Sequence, residues 1–264
     1  MGEYEGIWKG LKSNMLELNQ IYYGDYLDFV LDIPSKSVDM ILTDPNYGIT
    51  AYAQDKAPDL HRMWAELSRI GKSNCAYVFT SAQPFTSDLI NSNRKYFKYE
   101  LIWEKTSPTN YLNAKIQPLR AHENIIVFYD KQPTYNPQKT IGHERKVSTA
   151  RHRRNCKKTF NYREHGLATY DSTERYPKSV LSFKSDKQKS AIHHNQKPVA
   201  LFEYLIYTYS NEGDTIFDGF SGSGTTAIAC INTNRNYICI EKDFDYWLKS
   251  VERVEDYMDK KGKE

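Results

Sequence analysis

Three clusters in this sequence combine residue type and spacing in ways that can do chemistry. The first is Asp44-Pro45-Asn46-Tyr47, directly after the apolar run Val38 to Thr43. A carboxylate, a rigid ring, an amide and an aromatic side chain at the end of a strand make a small polar pocket with one stacking wall. Such a pocket suits a planar heterocycle that carries an exocyclic amine. The Asp44 carboxylate and the Pro45 main-chain carbonyl can accept hydrogen bonds from the two amine protons. That draws the nitrogen lone pair out of ring conjugation and leaves it able to attack an electrophilic methyl group. Tyr47 can stack on the ring face, worth roughly 1–3 kcal/mol per base. Asp-Pro-Asn is also good turn sequence, so the four residues alone leave a plain turn open.

The second cluster is the glycine-rich stretch Thr215-Ile216-Phe217-Asp218-Gly219-Phe220-Ser221-Gly222-Ser223-Gly224-Thr225-Thr226. Gly222 and Gly224 permit positive φ and let a ligand approach where a Cβ would collide. The helix start beyond them offers unpaired N–H groups and the positive end of a dipole. A strand-turn-helix of this kind takes a nucleotide-like cofactor at the carboxyl end of a sheet. Tyr237 to Ile240 then leads to Glu241, where a carboxylate can accept both hydroxyls of a ribose. No lysine follows the glycines at the spacing of a triphosphate-binding loop.

The third is a charge asymmetry. Residues 131–190 hold 15 Lys/Arg against 5 Asp/Glu, while the rest of the chain holds 21 against 28, so the net charge of +3 conceals a basic segment on an acidic body. Arg151, His152, Arg153, Arg154, Lys157 and Lys158 nearly abut, with Tyr135, Phe160, Tyr162 and Tyr170 interleaved. A solvated surface loop has this composition, and so does a segment that neutralises phosphates and offers rings and amides to bases.

The elements that must position these clusters read as alternating strands and helices. Strands are expected at Gln20 to Tyr23, Val38 to Thr43, Cys75 to Thr80, Tyr99 to Trp103, Asn124 to Tyr129, Thr215 to Phe217 and Tyr237 to Ile240. Helices are expected at Leu60 to Ile70, Pro198 to Tyr209 with proline in the first turn, and Thr225 to Ile231. That alternation implies a doubly wound, mainly parallel α/β sheet. The connections Glu104 to Glu123 and Asp130 to Ile192 are too long for ordinary loops, so each is expected to have a task.

Taken together and in order, these motifs resemble the β-class amino-methyltransferases of DNA. That class places a [DNS]-P-P-[YF] motif early, a target-recognition region next and an F-x-G-x-G motif last, as Asp44 to Tyr47, the basic segment and Phe220 to Gly224 are ordered here. Gly24-Asp25, Ile102-Trp103-Glu104-Lys105, His122-Glu123-Asn124 with the Ile125 to Phe128 run, and Asn195-Gln196-Lys197-Pro198 carry the resemblance further, over about Ile21 to Trp247. It implies a Rossmann-like, circularly permuted, seven-stranded methyltransferase sheet. Residues 1–130 would form the catalytic half, 131–192 the target-recognition insert and 193–264 the cofactor-binding half. The cofactor implied is S-adenosylmethionine. Asp44, Pro45, Asn46 and Tyr47 would form the base pocket. Phe220, Gly222 and Gly224 would line the cofactor, Asp218 would lie near its amino-acid moiety and Glu241 on its ribose. Asp25 would meet the adenine and Lys197 the methionine portion. Arg151, Arg153, Arg154, Lys157 and Lys158 would contact DNA. Asn46 stands where the family has a second proline, and His194-Asn195 replace its Pro-Thr.

The resemblance implies site-specific transfer to the N6 amine of a flipped-out adenine in double-stranded DNA, since Asp rather than Ser leads the tetrapeptide. Cytosine-N4 transfer, RNA adenine methylation and a catalytically silent DNA-binding relative stand as alternatives. A nicotinamide oxidoreductase would need a substrate domain with a proton-donor histidine. Relatives are often dimers, and a cognate restriction endonuclease can accompany them. No metal is expected, because His193 and His194 are adjacent and lack a Cys or acid partner. Cys75, Cys156, Cys230 and Cys239 lack C-x-x-C spacing and read as free thiols. With a mean hydropathy of −0.72, no long apolar run and no secretory signal in Met1 to Asn19, a cytoplasmic protein of a prokaryotic or phage-infected cell is expected.

Overall fold

The computed structural model describes residues 16–50, 55–149, 169–184 and 196–262. The larger of its two compact units, residues 1–136 with 179–264, is built on one eight-stranded sheet. The strands are β1 (Gln20–Tyr23), β2 (Val38–Thr43), β3 (Gly71–Ser81), β4 (Phe97–Thr109), β5 (Arg120–Phe128), β8 (Val180–Phe183), β9 (Thr215–Asp218) and β10 (Asn236–Glu241). Their order across the sheet is β1-β10-β9-β2-β3-β5-β4-β8. Among them only β5 runs against the rest. The mainly parallel, doubly wound α/β architecture expected from the sequence is therefore present, with one strand more than the seven expected. The extra strand, Val180–Phe183, lies within the long connection and pairs in parallel with β4 from Ile102 to Lys105.

Both faces of the sheet are covered, which is why its central strands carry continuous apolar stretches, Met40 to Leu42, Cys75 to Phe79 and Ile125 to Phe128, instead of alternating ones. On one face Met40, Leu42, Ala76, Val78, Ile125 and Val127 pack with the helices α4 (Val199–Tyr209), α5 (Thr225–Thr233) and α6 (Phe244–Lys261). On the other, Ile41, Tyr77, Phe79, Ile126 and Phe128 pack with α1 (Tyr26–Phe29), α2 (Leu60–Ile70) and α3 (Phe85–Ser92). Helix α2 buries Met63, Trp64, Leu67 and Ile70, a stripe at 3–4-residue spacing. Asp59 caps it by accepting the His61 and Arg62 N–H groups, and replacing that cap by alanine costs about 1 kcal/mol. Pro198 is the residue before α4, not its first turn, with ψ at 131°.

The connections set the geometry of the site. From β9 the chain returns through α5 to β10 on one side, and from β2 it returns through α2 to β3 on the other. Helices on opposite faces let both crossovers be right-handed while they run in opposite directions. The strand order therefore reverses between β9 and β2. The Glu104 to Glu123 connection is largely strand: β4 runs on to Thr109 and β5 starts at Arg120, joined by a 3-10 turn at Tyr111–Asn113. This hairpin arm hid from the sequence because its residues from Thr106 are exposed on both faces, so no alternation marks it.

The smaller compact unit is Pro137–Lys178. In it β6 (Lys146–Ser148) and β7 (Tyr170–Ser172) form an antiparallel pair. Arg145 grips the Asp171 carboxylate through two hydrogen bonds of 2.7 and 2.6 Å.

Candidate active site

Four acids stand at the carboxyl ends of four neighbouring parallel strands. In spatial order they are Asp25 beyond β1, Glu241 ending β10, Asp218 ending β9 and Asp44 beyond β2. The sheet thus collects four of the sequence-derived site residues along one edge, with Asp218 and Asp44 flanking the strand-order reversal where open α/β sheets take ligands.

The glycine-rich turn lies where expected. Gly222 and Gly224 have φ of +53° and +74°. A Cβ on Gly222 would point into open space, whereas one on Gly224 would meet Ser250 at 3.3 Å and Ile21 at 3.4 Å. Glu241 pins the turn: one carboxylate oxygen accepts the Gly222 N–H at 2.7 Å and the other the Asp243 N–H at 2.8 Å. Burial pushes the Glu241 carboxyl up, against those two amides. Asp218 is buried at 2% exposure and accepts from the Thr43 hydroxyl at 2.7 Å, the Phe220 N–H at 3.0 Å and the Thr226 hydroxyl. Burial outweighs these donors and raises its carboxyl to about 6. Phe220 packs on Tyr26 with ring centroids 4.8 Å apart. Asp25 accepts the Leu27 N–H and pairs with Lys242 at 2.8 Å. Burial would push its carboxyl up, and Lys242 with the Leu27 amide outweighs that and holds it below the usual range.

The turn fits a cofactor with a ribose and a charged tail. The Ser221 hydroxyl is buried with no hydrogen-bond partner among the described residues, space lies open beside Gly222, and a carboxylate closes the strand end.

At the tetrapeptide, Pro45 is buried and Asn46 exposed. Tyr47 donates to Asp44 Oδ1 at 2.6 Å, and its ring stacks on Phe85 at 5.5 Å and 22°. Thr80, at the end of β3, donates to the same Oδ1. Lys197 holds the other oxygen: its Nζ is 2.8 Å from Asp44 Oδ2, 3.1 Å from Glu123 Oε2 and 5.6 Å from the centroid of the Tyr47 ring. Lys105 in turn pairs with Glu123 Oε1 at 2.5 Å. Burial pushes the Glu123 carboxyl up, but Lys197 and Lys105 together hold it down at about 2. The opposing carboxylates of Asp44 and Glu123 likewise overcome burial and keep Lys197 well above its usual value. Beyond the tetrapeptide, Asp55 accepts the N–H groups of Gly48, Ile49 and Thr50 and so ties the following loop.

Reasoning from sequence gave no role to Thr43, Thr80 or Thr226, and picked out Lys105 and Glu123 only as parts of motifs, without a place in the site. A polar residue at the end of an apolar stretch, as at Thr43 and Thr80, and a charge just before one, as at Glu123, were the available signals. Arg151, Arg153, Arg154, Lys157 and Lys158, with Cys156, His193 and His194, lie outside the described residues. Cys75, Cys230 and Cys239 are buried free thiols. Among the described residues no group of three or more His, Cys, Asp or Glu could hold a metal ion, and no helix is long and apolar enough to cross a membrane.

Comparison with known proteins identifies the family and the fold. Residues 38–252 match the family described as DNA methylase. The DNA adenine methyltransferase YhdJ of Escherichia coli K12 is 29% identical over 259 residues, covering 90% of this chain and 83% of that protein. Among solved structures, the complex of M1.HpyAVI with SAM superposes with a TM-score of 0.60 at 23% identity, over 89% of this chain and 98% of that one. The cytosine-N4-specific PvuII DNA methyltransferase reaches a TM-score of 0.65 at 14% identity, over 90% and 86%.

Proposed function

This chain belongs to the DNA methylase family and is an S-adenosylmethionine-dependent DNA methyltransferase, and from that premise we propose that it methylates the N6 amine of adenine at a specific site in double-stranded DNA. The observation that carries the reading is the Asp44 carboxylate, held by Tyr47, Thr80 and Lys197 beside the strand-order reversal. When bound, S-adenosylmethionine supplies an electrophilic methyl group on a sulfonium. The chain's own residues do the rest. Ser221, Gly222, Asp218 and Glu241 hold the cofactor, with Asp25 at its far end. Asp44 and the Pro45 carbonyl accept hydrogen bonds from the two amine N–H groups and so orient the nitrogen lone pair, and Tyr47 stacks on the base. The target must leave the duplex to reach such a pocket, because its amine is paired and stacked there. The basic residues between β5 and β8, Arg151, Arg153, Arg154, Lys157 and Lys158 among them, hold phosphates and read base edges. The protein acts in the cytoplasm of a prokaryotic or phage-infected cell.

Expression in a methylation-free host, followed by sequencing of its DNA for modified bases and their context, tests this directly. N6-methyladenine in one recurring sequence is expected. N4-methylcytosine would correct the base, and unmodified DNA would mark a catalytically silent relative.

A further inference from the structure

Lys105, Glu123, Lys197 and Asp44 form a continuous line of alternating charge, with side-chain exposures of 8, 13, 6 and 20%. Each comes from a different segment. Antiparallel pairing sets Ser81 of β3 opposite Asn124 of β5, so the start of β5 arrives at the same sheet edge as the end of β3. Glu123 is thereby delivered beside Thr80 and Asp44. Trp103 pairs with Glu123 across β4 and β5, which puts Lys105 on the same face as a diagonal neighbour. Lys197 reaches the group from the segment before α4, and its main-chain carbonyl accepts the Thr225 hydroxyl at 3.3 Å. It is anchored in the first turn of α5, beyond the glycines, while its ammonium lies on the tetrapeptide.

We infer that Glu123, held by Lys105, is a positioning residue for methyl transfer: it fixes the Lys197 ammonium against Asp44 Oδ2 and so sets the direction of the Asp44 carboxylate. The inference rests on the reading of Asp44 as the group that receives the target amine. Stability gives little reason for such a line, since a buried ion pair is often no more stable than apolar residues of the same volume. Orientation gives a better one. An ammonium has three donors on a flexible stem, and one carboxylate partner leaves it free to swing. A second carboxylate, Glu123 at 3.1 Å beside Asp44 at 2.8 Å, narrows that freedom. Asp44 Oδ1 is governed by the Tyr47 and Thr80 hydroxyls, so Oδ2, and through it Lys197, is the remaining control on where the carboxylate points.

The test uses the full chain, labelled S-adenosylmethionine and unmethylated genomic DNA, with Glu123→Gln, Lys105→Gln and the double variant. Glu123→Gln is expected to lower kcat by roughly 100-fold, the scale set by small misplacements of reacting groups, while cofactor affinity stays unchanged. Its melting temperature falls as well, because two buried ammoniums then face one carboxylate. The double variant restores charge balance and recovers the melting temperature but keeps the low kcat. A purely structural role predicts that kcat recovers with it. Wild-type kcat in the double variant, or a loss confined to cofactor affinity, overturns the inference about Glu123 alone. No methyl transfer by the wild type overturns the proposed function, and this inference with it.

Discussion

The Thr43 hydroxyl donates to the Asp218 carboxylate at 2.7 Å, across the pair of parallel strands between which the strand order reverses. One residue closes the strand that leads into the tetrapeptide, and the other closes the strand that leads into the glycine-rich turn. This buried hydrogen bond thus joins the two halves of the site directly.

Asp218 makes stability depend on pH. Its carboxyl lies at about 6 in the fold against 3.8 as the ordinary value. Between those values the folded state binds more protons than the unfolded one, so this group's contribution falls as pH rises from about 4 to about 6. The loss amounts to about 3 kcal/mol at most. Denaturant unfolding of the cofactor-free protein across that window is expected to show wild-type stability falling relative to that of Asp218→Asn as pH rises, because the other shifted carboxyls are common to both. Parallel curves would rule out Asp218 as its source.

Asp44→Ala removes the acceptor of the target amine but touches nothing in the glycine-rich turn. Labelled-methyl transfer to DNA should drop by at least about 100-fold, as when one group acting on the reacting atoms is removed. Binding of S-adenosylmethionine, followed by calorimetry, should persist. Retained transfer would remove Asp44 from its assigned place.

The two turn glycines should separate stability from binding. Both hold left-handed φ, which costs a side chain roughly 1–2 kcal/mol. Gly224→Ala also crowds Ser250 and Ile21 and should lower the melting temperature further than Gly222→Ala. Gly222→Ala points its methyl into open space beside Ser221 and should weaken cofactor binding more than Gly224→Ala. Thermal denaturation without cofactor and a titration with it decide both comparisons.

Replacing Arg151, Arg153 and Arg154 together should weaken DNA binding and flatten its salt dependence. For every phosphate that is no longer neutralised, the slope of log K against log salt shrinks by about 0.9. Filter binding at a series of salt concentrations measures it, and an unchanged slope would mean that these arginines do not touch the backbone.

Much of the site is local in sequence and was legible there. Met40–Leu42 and Tyr237–Ile240 are buried on both faces, so their strands are marked by runs of apolar residues, and the polar residues that follow mark where each strand reaches the sheet edge. Glycines at positive φ announce the turn by type alone. Helix α6 went unread because a charged sequence buries only the narrow stripe Trp247, Ser250 and Val254. Lys197 was readable as a residue near the site but not as a partner of Asp44. Partnership between charges depends on distance, and distance here depends on strand order: β5 runs against β3, which sets Glu123 at the carboxyl edge, and the segment before α4 crosses that same edge. The sequence by itself determined which residue types lead each strand into the site. Only the tertiary structure decided that Lys105, Glu123, Lys197 and Asp44 form one line, because it alone brings four segments remote in the chain within hydrogen-bonding distance.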